Sequence, residues 1–315
     1  MSARRRHVFG PVPSRRLGRS LGADLVPYKT CTLDCVYCQC GRTTQKTADR
    51  LEYAPTDIVL QDIREALENG IRPDAITLSG SGEPTLHSGI GEILRAVRKM
   101  TRTPLVVITN STLLGRAEVR TDCAAADIVI PSLDAGDSVA FESVNRPHES
   151  LDFDAILEGL VSFRSEFSGK IWLEVMVVGG MNEDPAQIEK IASHVARIRP
   201  DKVQINTVVR PPAEPFALPV PEERLRELAA RFPGDVEILA RFRRRGEAAG
   251  RAVGREDVLA LLARRPCTLE DVAQGLRVAR EDAERLMTDL EKEGSIRPIE
   301  RDEGFFFVAC REKEP

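Results

Sequence analysis

From residue 22 to about 209 the chain alternates short β-rich runs with amphipathic helical patterns, and this alternation restricts its fold more than any other feature. The strand candidates are Ala23–Val26, Ala75–Ser79, Leu105–Thr109, Ile128–Leu133, Ile171–Val178 and Val203–Val209. Several are unbroken apolar or β-branched runs, the pattern of strands covered on both faces. Between them, Ile58, Ile63 and Leu67 share one helical face, as do Ile156, Leu160 and Phe163, and Ile188, Ile191 and Val195. Strand–helix–strand units of this kind build parallel sheets through right-handed crossovers. Six units predict an α/β fold, an open partial (β/α)6 barrel over residues 22–240. A doubly wound open sheet is the other architecture the pattern permits. In both, the site belongs at the C-terminal ends of the strands.

Residues 1–21 read as an N-terminal arm. Prolines interrupt the pattern at Pro211, Pro212, Pro215, Pro219 and Pro221; a helix then starts near Glu222, and Val236–Leu239 reads as a last strand. Residues 241–253, which include Arg241, Arg243, Arg244 and Arg245, read as a basic linker. Residues 254–315 read as a separate winged-helix-like domain. Leu261 and Leu262, then Val272 and Leu276, then Met287 and Leu290 mark three helices, and Ile296–Ile299 with Phe305–Ala309 reads as a hairpin. Thr268 and Asp271 form a capping pair for the second helix, and Gly294 stops the third.

No apolar run approaches the ~20 residues of a membrane helix. The basic start, Met1 to His7, is not followed by the apolar core of a signal peptide. A cytoplasmic location with no membrane partner is expected. In that compartment seven cysteines do not read as disulfides. Cys123, Cys267 and Cys310 are scattered and read as buried thiols. The other four crowd into residues 31–40.

Cys31, Cys35 and Cys38 stand in C-x3-C-x2-C spacing just after the first strand candidate. A zinc site usually pairs two Cys or Cys/His elements to reach four ligands. Here no second cysteine pair exists, and the nearest downstream histidine is His87. Cys40 reads as a residue near the site rather than a ligand. Three thiolates hold three irons of a [4Fe–4S] cluster and leave the fourth open to a small molecule.

In this loop the chain resembles the radical SAM superfamily, whose hallmark is the same spacing. Tyr37, before the third cysteine, fits the aromatic that packs near the adenine of S-adenosylmethionine. After the second strand candidate, the run Ser79 to Leu86 resembles the family's Gly-Gly-Glu motif, with Ser81, Gly82 and Glu83 in its place. Glycine lets the backbone approach a ligand closely, and carbonyls with a carboxylate accept hydrogen bonds from the methionyl ammonium. Asn110, Ser132 and Asp134 lie at the same rim, where the family binds the ribose. The resemblance implies that Tyr37, Ser81, Gly82, Glu83, Asn110, Ser132 and Asp134 bind S-adenosylmethionine and that Cys31, Cys35 and Cys38 ligate the cluster. It also implies that an electron from an external one-electron reductant drives cleavage to methionine and a 5′-deoxyadenosyl radical, which abstracts hydrogen from a substrate. The opening from Phe9 to Gly22, running into Val26 to Cys31, is similar to a group of uncharacterised radical SAM proteins related to wyosine-forming tRNA enzymes. The archaeal wyosine enzymes bind a second cluster through cysteines upstream of the loop; here no cysteine precedes Cys31. Only the core chemistry carries over.

Glu174 and Asn206 are polar residues inside apolar strand runs and need a partner, either a ligand or a neighbouring strand. Lys29, Arg15, Arg16 and Arg19 flank the loop and read as surface solvation rather than anion binding. Residues 279–294 carry six acids against three bases. That charge argues against sequence-specific DNA binding through the third helix of the C-terminal domain. The basic linker is the better candidate for an RNA contact. Three functions fit: a radical enzyme acting on RNA or another large substrate, a radical maturase or activase of a polypeptide partner, and a non-enzymatic redox-sensing regulator. Cys31→Ala, Cys35→Ala and Cys38→Ala are each expected to abolish the cluster, while Cys40→Ala retains it. Iron and sulfide content after anaerobic reconstitution reads this directly, and a cluster lost in Cys40→Ala but kept in one of the other three would overturn the ligand assignment.

Overall fold

A computed structural model describes residues 7–239, 254–263, 266–276, 278–301 and 304–310. The chain opens with a hairpin of β1 (Val8–Ser14) and β2 (Gly18–Ala23), followed by two short strands, β3 (Thr30–Cys31) and β4 (Gln45–Lys46). It continues as α1 (Thr56–Glu68), β5 (Ala75–Leu78), α2 (Ile90–Met100), β6 (Leu105–Thr109), α3 (Ala117–Cys123) and β7 (Ile128–Pro131). Next come α4 (Ser138–Asn145), α5 (Phe153–Glu166), β8 (Lys170–Val177), α6 (Pro185–Ile198), β9 (Lys202–Thr207), α7 (Glu222–Ala229) and β10 (Val236–Ile238). The main sheet has the order β1-β2-β5-β6-β7-β8-β9-β10, in which β1 runs antiparallel and every later pair is parallel.

The strand candidates between residues 75 and 239 match β5 to β10 to within two residues at either end. The first strand departs from expectation: it ends at Ala23, and residues 8–14 pair with it instead of forming a free arm. Pro11 and Pro13 disguise β1, but an edge strand tolerates residues that cannot donate to a ladder. Helices α2 and α3 fill the crossovers after β5 and β6 that the alternation implies, and α4 adds a second helix after β7.

Alternation along the strands divides the sheet into two faces. Leu21, Ile76, Val107, Val129, Leu173 and Ile205 point to the helices and form the main core with residues such as Ile63, Ile93 and Ile191. Ala75, Val106 and Ile130 point the other way and form a smaller cluster with Leu17 and Trp172. The strands are thus covered on both faces, as their apolar runs require.

The second face also holds a buried polar chain. Arg16 Nη1 lies 2.8 Å from Glu174 Oε2 and 3.2 Å from Gln204 Oε1. Asn206 Nδ2 donates to Glu174 Oε1 at 2.9 Å, and Arg15 Nη1 donates to Asn206 Oδ1 at 3.1 Å and to the Leu239 carbonyl at 3.2 Å. Arg15 and Arg16 therefore do not solvate the surface. They sit in the β1–β2 turn, yet Glu174 is on β8, four places from β2 in the strand order. At ~4.8 Å per strand a flat sheet would separate these strands by roughly 19 Å, beyond an arginine's reach. The sheet is therefore curled, with the hairpin folded toward its far strands.

The C-terminal residues form α8 (Arg255–Leu262), α9 (Leu269–Leu276), α10 (Arg280–Lys292) and the hairpin β11 (Ile296–Arg301) and β12 (Gly304–Ala309). This small unit has its own core, against which Val12 of β1 packs. The expected capping pair is reciprocal, with Asp271 N–H donating to Thr268 Oγ1 and Thr268 N–H to Asp271 Oδ2, both at 3.1 Å. Gly294 takes φ 72° at the end of α10, a left-handed turn suited to glycine. The basic linker at 241–253 lies outside the described residues. Cys123 and Cys267 are buried, whereas Cys310 is exposed. Among the described residues no helix is long and apolar enough to cross a membrane.

Glu174→Ala would leave the Arg16 guanidinium buried without its counter-charge. We expect a loss of about 3 kcal/mol, read by urea denaturation at neutral pH.

Candidate functional site

The site forms where β2, β5, β6 and β7 end. The turn after β5 is clamped to the segment that leads into Cys31: Lys29 N–H donates to the Ser81 carbonyl and Glu83 N–H to the Thr30 carbonyl, each at 3.1 Å. Gly82 is pressed against this segment, and a Cβ there would stand 2.1 Å from the Thr30 carbonyl oxygen. Glycine is required at this position by protein backbone, whatever a ligand adds. Ser81 Oγ donates to Asp24 Oδ2 at 2.9 Å.

Glu83 is 2% exposed, and its carboxylate accepts from four protein donors: Thr85 N–H, Thr85 Oγ1, Thr109 Oγ1 and Asn110 N–H, at 2.6–3.0 Å. Burial raises its pKa, against the pull of these bonds. The carboxylate is thus turned into the protein, joining the β5 turn to the end of β6. Asn110 extends the link, its amide donating to Thr32 Oγ1 at 2.7 Å and to Cys31 Sγ at 3.5 Å.

A second link runs through Asp134, which is also buried. Its Oδ2 accepts from the Tyr37 hydroxyl and, at 2.8 Å, from Asn145 Nδ2; its Oδ1 accepts from Met176 N–H at 2.9 Å. Burial pushes its pKa up to about 6. Asn145, at the end of α4, also lies 3.4 Å from Cys35 Sγ. Its Oδ1 is buried with no hydrogen-bond partner among the described residues, an acceptor left for a bound group. Ser132 lines the open space beside Asp134.

The third link is Lys29, whose Nζ lies 3.1 Å from Cys38 Sγ. Each of the three motif sulfurs therefore receives one side-chain N–H, from Asn110, Asn145 and Lys29 respectively. Burial and the Glu83 carboxylate push the Cys31 thiol up to about 12, and burial with Asp134 pushes Cys35 up. Hydrogen bonding from the Cys40 thiol and the Lys29 charge move Cys38 downward. Among the described residues no three Cys, His, Asp or Glu side chains converge as ligands of one metal ion. Thiolates that each take a different iron need no such convergence. The donor set, its N–H partners and the orphaned acceptor beside it fit an iron–sulfur cluster with a small polar ligand.

A cavity of about 750 Å3 opens from the loop. Tyr37, Cys38, Cys40 and Gly80 line it together with Arg15, Arg16, Glu174 and Asn206. Asp271 and Phe306 of the C-terminal unit form part of the wall.

The family profile described as Radical SAM superfamily matches residues 25–195. This chain belongs to the radical SAM superfamily. It is accordingly an enzyme whose cofactors are a [4Fe–4S] cluster and S-adenosylmethionine. It is 33% identical over 295 residues to a protein named GTPase Obg from Brachyspira hyodysenteriae, covering 93% of this chain but only 43% of that protein. It is 32% identical over 308 residues to a UPF0026 protein of Methanocaldococcus jannaschii, covering 96% and 95% of the two chains. Among solved structures the fold is similar to Streptococcus suis SuiB bound to precursor peptide SuiA, with TM-score 0.52 and 16% identity, over 69% of this chain and 48% of that one. It is also similar to a radical SAM methyltransferase from Sphaerobacter thermophilus, with TM-score 0.50 and 18% identity, over 70% and 66%.

The structure thus brings together Cys31, Cys35, Cys38, Tyr37, Asn110, Ser132 and Asp134, while Ser81, Gly82 and Glu83 brace the loop from behind. Asn145, Asp24 and the inward turn of Lys29 escaped the sequence reading. The one signal for Asp24 is a charge inside the β-rich run Ala23–Val26. Asn145 has none, since it lies 107 residues beyond Cys38. Gly82→Ala forces the Thr30 backbone away and Cys31 with it. The expected result is a fall in bound iron per chain after reconstitution, together with lower thermal stability.

Proposed function

We propose that this radical SAM enzyme holds its cluster through Cys31, Cys35 and Cys38 and binds S-adenosylmethionine in the cavity beside Tyr37, Gly80, Ser132 and Asp134. The reading is carried by one observation: three thiols on a single loop are each met by an N–H donor, and the third of them, Cys38, opens onto a cavity at the C-terminal rim of a curled parallel sheet. Held by Cys31, Cys35 and Cys38, the cluster would supply one-electron reduction of bound S-adenosylmethionine, with the electron drawn from an external reductant, for hydrogen abstraction from a substrate.

The chain's own residues bind, orient and shield. Asp134 and Asn145 fix the Tyr37 hydroxyl, so the ring beside Cys38 keeps one orientation. Glu83, saturated by four donors, holds the β5 turn so that its backbone carbonyls, rather than its own carboxylate, are left for the methionyl ammonium. We read the curled sheet as a partial barrel over residues 22–240, extended by the β1–β2 hairpin. The order of three helices and a hairpin at 254–315 reads as a winged-helix-like unit that walls the cavity. A segment of a larger molecule, polypeptide or RNA, then enters between sheet and unit. SuiB, which is similar in fold, binds a peptide, and the arginines at 241–245 suit RNA. A cytoplasmic location accords with free thiols at the site.

Anaerobic reconstitution followed by reduction with dithionite tests the reaction. We expect 5′-deoxyadenosine and methionine from S-adenosylmethionine. A reduced, cluster-bearing protein that yields neither would leave the redox-sensor reading standing instead. Sequencing RNA and peptides that co-purify anaerobically separates the two substrate classes.

A further inference from the structure

Lys29 is an unusual residue for its place. It is 2% exposed, and its backbone takes φ 57°, a left-handed conformation that lysine rarely adopts. A buried ammonium requires a compensating charge. Among the described residues the one hydrogen-bond partner of the Lys29 ammonium is the Cys38 sulfur. Cys31 and Cys35 are met by neutral amides, so the charge is placed on one ligand only. The other buried charges at this site, Asp24, Asp34, Glu83 and Asp134, are carboxylates, of which Asp34 is paired with Arg42.

Adding an electron to a cluster held by three thiolates among carboxylates increases an already negative charge. A fixed cation at the ligand sulfur opposes that cost, because charge and hydrogen bonds at sulfur set the reduction potential. We propose that Lys29 is a positioning residue for the electron: its ammonium on Cys38 Sγ raises the midpoint potential of the cluster and so favours the reduced state that precedes cleavage of S-adenosylmethionine. The inference rests on the assignment of Cys31, Cys35 and Cys38 as ligands. Lys29 remains an ammonium throughout. The electron comes from the external reductant, and in the test dithionite gives up one electron per cluster and ends as sulfite.

The test is a potentiometric titration of the full-length protein, reconstituted anaerobically, with the reduced cluster read by electron paramagnetic resonance. Lys29→Met is expected to lower the ratio of reduced to oxidised cluster about tenfold at a given potential, a midpoint shift of about 59 mV for a one-electron couple. Lys29→Arg is expected to stay near the parent. If Lys29→Met loads no cluster, Lys29→Gln, which keeps an N–H donor without the charge, carries the measurement with the same expected drop. Loaded neutral variants with the parent's midpoint overturn the inference and leave the ligand assignment intact. If neither neutral variant loads, Lys29 serves assembly rather than potential, and the inference falls. A parent that binds no cluster overturns the ligand assignment itself.

Discussion

The curl of the sheet is spanned by one ion pair, between a half-buried Arg16 and a buried Glu174. Arg16 leaves the first hairpin and meets Glu174 on β8, and Asn206 and Arg15 complete the chain of contacts. Removing both charges from water is costly and is offset only by close geometry and satisfied hydrogen bonds. That requirement makes the contact exacting, so the hairpin must come to the far strands rather than lie flat. The Arg16 charge holds the Glu174 carboxyl below its usual range despite burial. The cavity is the space left above this contact once the sheet has bent around it.

On the opposite side of that space the cysteine loop is held by protein alone. Glu83 reaches the loop through Asn110, Asp134 reaches it through Tyr37 and Asn145, and Lys29 reaches it directly. Two of the links start on strand ends and the third on the segment leading into the loop, so the sheet adds support to the loop's own turns. Such external support is how metal sites keep ligand orientation. It also explains why the Gly82 turn and the cysteine loop occur together in the chain: the turn is the surface on which the loop is laid.

Much of the fold could be read before the structure. Runs such as Leu105–Thr109 announce themselves because strands covered on both faces are apolar throughout. The cysteine loop was legible for a similar reason, since its ligands are local in sequence. What stayed hidden was whatever depends on distance. Pro11 and Pro13 concealed an edge strand. The internal hydrogen bonds of Glu83 were not legible in its own motif, because Thr109 and Asn110 lie at the end of the next strand. Arg15 and Arg16 looked like surface charges, since nothing nearby in the chain foretells Glu174. Lys29 was misjudged in the same way: its neighbour in space is nine residues away across a loop.

The start of α9 holds a coupling of a different kind. Thr268 and Asp271 lock the first turn of that helix through a reciprocal pair of hydrogen bonds, and both residues also face the cavity. A molecule that took Asp271 Oδ2 would compete with the Thr268 N–H for that oxygen. One carboxylate thus both caps a helix of the C-terminal unit and lines the cavity, so a ligand bound through that oxygen would act on the first turn of the helix.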